Sequence, residues 1–118
     1  MKEEKKRVIN LAGETNLLEL AAFMEKCDLF ISNDSGPLHL ATAMDVRTVS
    51  FFGPETPALY GPRGKKHSIL YKKLPCSPCI TVYNNKTVRC PYDSRCLKTI
   101  EVDEAFKIVE QKLKQIKK

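Results

Sequence analysis

The strongest constraint on the fold is the run Asn33-Asp34-Ser35-Gly36-Pro37-Leu38-His39, which sits between the apolar stretches Leu29-Phe30-Ile31 and 38–44. A short apolar run ending in polar residues and Gly-Pro predicts a buried strand that turns directly into a helix. Pro37 suits the first helical position, where its missing N–H removes no hydrogen bond. Gly36 lacks a Cβ, so a ligand can approach the backbone there. The unpaired N–H groups and positive dipole end of such a helix favour an anion, and a phosphate is the natural occupant. Asp34, Ser35 and His39 would surround it with carboxylate, hydroxyl and imidazole groups. A blander alternative stands beside this one: Asp34 or Ser35 caps the helix, and Gly-Pro marks a turn.

The neighbouring segments repeat the alternation. Val8-Ile9-Asn10-Leu11 predicts a short strand. A helix is expected over 16–26, with Asn16 as N-cap and Glu19 completing a capping box. Its apolar face is Leu17, Leu20, Ala21 and Met24, widened by Leu18 and Ala22. Strands are expected over 29–32 and 47–52, a helix over 37–44, and a fourth strand over 67–72. The unbroken apolar run at 29–31 predicts burial on both faces, as in a parallel sheet. His67 is expected at the surface where its strand starts, and Cys27 as a small core residue.

This order predicts an α/β, Rossmann-like three-layer domain with a short parallel sheet of three or four strands and right-handed crossovers. The α/β core is expected over 8–73, an irregular cysteine-rich insertion over 74–97, and a terminal helix over 103–118. Asp103 should cap that helix, with Phe106, Val109, Leu113 and Ile116 as its buried stripe. Sheets of this kind bind ligands beyond the carboxyl ends of their strands. Three loops meet that condition: Ala12-Gly13-Glu14-Thr15, 33–36 and Gly53-Pro54-Glu55-Thr56-Pro57. They follow three successive strands, so they should lie along one rim.

A chain of 118 residues makes one domain with a modest core. No apolar run is long enough to span a bilayer, and the charged start Met1-Lys2-Glu3-Glu4 carries no signal-peptide pattern. A cytoplasmic location is the expectation. The net charge of +6 is concentrated toward the end, at Lys107, Lys112, Lys114, Lys117 and Lys118. Such lysines are either a solvated helix face or an attraction to an anionic membrane surface or polyanionic substrate. Basic and aromatic residues do not interleave and no reading motif appears, so nucleic acid is not an expected partner. A Gly-x-Gly-x-x-Gly fingerprint is absent, which argues against a dinucleotide oxidoreductase.

Cys76, Cys79, Cys90 and Cys96 form a C-x2-C-x10-C-x5-C set. Four thiolates with one tight pair suit a structural zinc, or less well an iron–sulfur cluster. Free thiols, or disulfides formed on isolation, are the alternatives. A metal there would pin the insertion and take no part in catalysis.

Taken together, Leu11-Ala12-Gly13-Glu14-Thr15, Asn33-Asp34-Ser35-Gly36-Pro37-Leu38-His39-Leu40-Ala41 and Phe52-Gly53-Pro54-Glu55-Thr56-Pro57 resemble the C-terminal domain of the ADP-heptose:lipopolysaccharide heptosyltransferases, glycosyltransferase family nine. The resemblance covers about residues 8–118, and the cysteine-rich insertion is similar to one branch of that family. It implies a GT-B fold, in which the C-terminal domain holds the nucleotide sugar and the N-terminal domain holds the acceptor and the general base. It implies that Asp34, Ser35, Gly36 and His39 contact the donor's diphosphate and sugar, and that Thr15 lies near the nucleoside. No cofactor is required for such catalysis. The N-terminal domain and the first strand and helix of the C-terminal domain have no counterpart here, so no catalytic residue is assigned and no activity is expected from this chain alone.

Two functions therefore compete. One is the ADP-sugar-binding part of a glycosyltransferase, partnered by the missing N-terminal domain. The other is a non-catalytic cysteine-rich module that binds a protein or polyanion. Without its first strand the sheet would expose an edge, which predicts weak homodimerisation.

Overall fold

Asn16 and Glu19 decide where the first helix begins. In the computed structural model, which describes residues 7–54, 57, 61–72, 74–75, 90–92 and 94–116, the Glu19 N–H donates to Asn16 Oδ1 at 2.8 Å. The Asn16 N–H donates to Glu19 Oε1 at 3.0 Å, closing the expected capping box. Helix α1 (Leu17–Glu25) follows. Met24 is buried, Leu20 and Ala21 are half-buried, and Leu17, Leu18 and Ala22 lie exposed. The apolar face is thus narrower than the sequence suggests.

Strand β1 (Phe30–Asn33), helix α2 (Gly36–Ala43), strand β2 (Thr48–Phe52) and strand β3 (His67–Tyr71) come next. The sheet runs β1-β2-β3, with both pairs parallel. Phe30, Ser32, Thr48, Ser50 and Phe52 share one face, because registered partners in a parallel sheet point the same way. Helices α1 and α2 cover that face. Met24, Ala41 and Val46 form its buried cluster, with Leu20, Cys27, Phe30, Leu40 and Met44 packed against it. Helix α2 ends in a turn that carries Asp45 at φ 60°, with Asp45 N–H bonded to Thr42 O and Val46 N–H to Ala41 O. This is the left-handed C-terminal cap usually given to glycine.

The opposite face, with Val49, Phe51 and Leu70, is covered by the short helix α3 (Arg95–Lys98) and by helix α4 (Val102–Ile116). Near its start, α4 is tied to the end of β3 by Lys72 Nζ–Glu104 Oε2 at 2.7 Å. Toward its finish, Lys112 Nζ donates to Lys65 O at 2.7 Å, just before β3. Helix α4 therefore runs antiparallel to β3. The described residues bear out the α/β layering, the three-stranded parallel sheet and the C-terminal helix.

Several expectations change. Residues 8–11 form no strand; Val8 is 75% and Ile9 78% exposed, because no described strand offers them an edge. The Ile31 side chain is half exposed, since β1 lies at the sheet's end and not inside it. His67 is half-buried, its Nδ1 2.8 Å from Thr48 Oγ1 on the neighbouring strand. Asp103 lies inside the first turn of α4 and does not cap it. That helix is also rotated. Ala105, Ile108, Val109 and Ile116 are half-buried and Lys112 is buried, whereas Phe106 is 65% and Leu113 40% exposed. The Lys112 stem packs apolar surface while its amine reaches a carbonyl, so a lysine takes a core position.

Candidate functional site at the strand ends

Where β1 stops, its ladder continues for one residue: the Asp34 N–H donates to Phe51 O at 3.1 Å. This pins the turn onto the neighbouring strand before the chain enters α2. Ser35 is the N-cap residue, extended at φ −156°, but its side chain makes no bond to the helix N–H groups. Its hydroxyl instead lies 3.3 Å from Ser32 Oγ and donates to Asn33 O at 3.3 Å. Ser32 Oγ also donates to Asn33 O, at 2.8 Å. The capping alternative thus fails for Ser35. Its hydroxyl is oriented by the strand end and not toward the first turn of α2.

Asp34 and Ser35 are half-buried, and Gly36 and His39 are exposed. A Cβ placed on Gly36 would meet nothing within 4 Å, so there is open space over the backbone. Pro37 falls at the second helical position, one later than expected, and still removes no helical hydrogen bond. On the outer side of this turn, Gly36, Pro37, His39 and Leu40 line a cavity of about 440 Å³ with Leu17 and Leu20 of α1. On its other side, Asn33 and Phe51 line one of about 270 Å³ with Leu97, Ile100 and Val102. Sequence reasoning placed Asn33 in this rim loop but did not foresee the 97–105 segment opposite it. The segment's role has no local signature, because only the folding of α3 and α4 over the sheet brings it there.

Thr15 lies apart from this turn. It lines a third cavity, of about 350 Å³, with Gly13, Leu20, Phe23 and Phe30. Leu20 lines both this cavity and the one beside His39, so the two regions meet across a single α1 side chain. The 33–36 and Gly53-Pro54 loops follow adjacent parallel strands and share a rim. The 12–15 loop reaches it only through α1, because it follows no strand. Glu55 and Thr56 lie outside the described residues. Gly53 is buried against α3: an added Cβ would stand 2.7 Å from Cys96 Sγ.

Of the cysteines, Cys76 and Cys79 lie outside the described residues. Cys96 is buried and Cys90 exposed, with its Sγ accepting from the Ser94 N–H at 3.2 Å. Among the described residues no group of three His, Cys, Asp or Glu side chains is placed to hold a metal.

Comparison with known proteins identifies the family. The family model for Glycosyltransferase family 9 (heptosyltransferase) matches residues 1–88. Lipooligosaccharide heptosyltransferase 2 of Campylobacter jejuni serotype O:6 is 33% identical over 113 residues, covering 94% of this chain and 34% of that protein. Lipopolysaccharide heptosyltransferase 1 of Pseudomonas aeruginosa is 42% identical over 72 residues, 61% of this chain and 19% of the relative. The crystal structure of the glycosyl transferase family 9 from Veillonella parvula superposes with a TM-score of 0.69 at 28% identity, over 87% of this chain and 28% of that one. The chain spans about a third of the length of the first of these relatives. Its sequence and fold place it in glycosyltransferase family 9, the heptosyltransferases.

Proposed function

We propose that this chain is the nucleotide-sugar side of a heptosyltransferase and that it grips the diphosphate of an ADP-heptose-like donor at the 33–39 turn. The observation that carries this reading is the open start of α2. They follow a strand that a neighbour holds in place, the Ser35 hydroxyl turns away from them, and space lies above Gly36. Glycosyl transfer leaves negative charge on the departing diphosphate. Oriented N–H groups and a helix dipole stabilise that charge without reorganising. Ser35 donates a hydroxyl there, and His39 adds a charge-assisted hydrogen bond when protonated. Asp34 repels phosphate and instead accepts from a sugar or ribose hydroxyl. Thr15 borders the nucleoside end, one α1 side chain away from His39.

Transfer to a lipopolysaccharide-core acceptor is an activity of family-length proteins, and this chain covers 34% of the length of the Campylobacter jejuni relative. Among the described residues no helix is long and apolar enough to cross a membrane. Work at the inner face of a membrane, on the cytoplasmic side, follows from the acceptor class proposed.

Calorimetric titration with ADP and an ADP-sugar tests the reading. The expected result is saturable binding that falls at least about tenfold, roughly 1.4 kcal/mol, in Asp34→Ala or His39→Ala. Binding only to polyanions, screened by salt and indifferent to both substitutions, would instead support a non-catalytic interaction module.

A further inference from the structure

We infer that the cavity on the α4 side of the rim, walled by Asn33 and Glu101, is a carbohydrate subsite. Two sources carry that chemistry: the sugar of a nucleotide donor and a sugar residue of an acceptor glycan. For the first source the inference rests on the donor reading; for the second it does not.

Place gives the first argument. Asn33 ends β1 and stands in register with Phe51 on β2, so the cavity opens at the carboxyl ends of two parallel strands. Sheets of this class take their ligands there. Asn33 is two residues ahead of Ser35, so the cavity adjoins the turn that leads into α2. Its volume of about 270 Å³ lies below the roughly 300–1,000 Å³ of pockets for drug-sized ligands. It has room for one ring unit and not for a whole nucleotide sugar.

The lining gives the second argument. Asn33 and Glu101 bring polar side chains, and Phe51, Ile100 and Val102 bring apolar surface. An amide both donates and accepts, whereas a carboxylate only accepts. Together they match hydroxyl groups, each of which also donates and accepts. The carboxylate repels phosphate and so leaves a diphosphate to the α2 amides. A purely apolar ligand is disfavoured too, because it would strip water from Asn33 and Glu101 without replacing their hydrogen bonds. A sugar ring meets both demands, with hydroxyls at its rim and C–H groups on its faces. Those faces suit Phe51 and Val102, the latter 83% exposed to water. Asn33 and Glu101 are themselves exposed, so their polar groups are open to such a ligand.

Both walls are held before any ligand arrives. The Asp34 N–H, bonded to Phe51 O at 3.1 Å, fixes the Asn33 side of the cavity. On the other side, the Lys72 Nζ–Glu104 Oε2 pair at 2.7 Å ties the start of α4 to β3. Leu97 packs so close to Gly53 that an added Cβ would stand 2.8 Å from Leu97 Cγ. Fixed walls lower the ordering cost of binding.

Calorimetric titration of the chain with ADP, with an ADP-aldoheptose and with a lipid-free lipopolysaccharide-core oligosaccharide tests the inference and separates the sources. A donor source predicts that ADP-aldoheptose binds at least about fivefold more tightly than ADP, the worth of one or two net hydrogen bonds. An acceptor source predicts saturable oligosaccharide binding, with or without ADP. In either case Asn33→Ala and Glu101→Gln should remove the sugar-dependent part, while ADP affinity and the thermal midpoint stay those of the parent. Sugar-dependent binding that survives both substitutions would overturn the inference. So would an equal loss of ADP binding, which would make the cavity a nucleotide site. A parent chain that binds ADP and ADP-aldoheptose alike and ignores the oligosaccharide would overturn it and leave the donor reading standing. Oligosaccharide binding that both variants lose, with no binding of ADP, would refute the donor reading alone. Binding of none of the three probes would overturn both.

Discussion

Ser50 and His67 sit on the same face of the sheet and illustrate two outcomes for a polar side chain there. The Ser50 hydroxyl is fully buried and has no hydrogen-bond partner among the described residues. Burying a hydroxyl unpaired is unfavourable by about 1–3 kcal/mol. Ser50→Ala should therefore raise stability by about 1 kcal/mol, seen as a higher urea midpoint. His67 is paired with Thr48, but its imidazole is held below the ordinary value of 6.5 by burial first, then by the charges of Lys112 and Lys66, against a smaller upward pull from Asp45. The folded chain then binds fewer protons than the unfolded one, so stability rises with pH in this window. The contribution is complete above pH 6.5 and is lost as pH falls from there toward the lower folded value. Asp45 and Glu104, both lowered by lysine partners from 3.8 and 4.5, act only at more acid pH. His67→Gln, which keeps a partner for Thr48, should flatten the midpoint-versus-pH curve below pH 6.5. A curve as steep as that of the parent would show that another group is responsible.

At the scale of elements, the helix starts separate stability from binding. The α1 capping box was legible because Asn16 and Glu19 are a local pattern that needs no other part of the chain. The start of α2 shows the reverse: a cap residue is present, yet its hydroxyl is turned back to the strand end. Gly36 makes the difference measurable. No neighbour would meet an added Cβ, and alanine is the better helix former by up to about 1 kcal/mol. Gly36→Ala should leave thermal stability unchanged or slightly raised, while weakening ADP-sugar binding by crowding the diphosphate. Parallel losses of stability and binding would mean the glycine serves the fold. The rotation of α4 was not legible, because its wheel carries two adjacent apolar stripes. The choice between Phe106 and Lys112 was made by the position of β3 and the carbonyl of Lys65.

For the molecule as a whole, large apolar side chains left outside the core gather near α4. Val102, Phe106 and Leu113 lie on one flank of α4, and Ile31 on the face of the sheet that α4 helps to cover. Exposed apolar groups that contribute nothing to the isolated fold can be removed at no loss. Phe106→Ser should keep the urea midpoint within about 0.5 kcal/mol of the parent and raise the concentration at which the chain stays monodisperse in light scattering. A fall of several kcal/mol would show that Phe106 packs against this chain's own core.

The sequence by itself determined the strand–helix alternation, the cap of α1, the 33–39 turn and the family that turn belongs to. Each of these is written in neighbouring residues, through periodicity, capping chemistry and motif spacing. Tertiary structure alone decided that 8–11 stays unpaired, that β1 is an edge, which way α4 faces, and that 97–105 walls the rim opposite Asn33. The reason is physical. A strand exists only where another offers it hydrogen bonds, and a helix chooses its buried stripe only against a surface. Neither is a property of the segment that carries the residues.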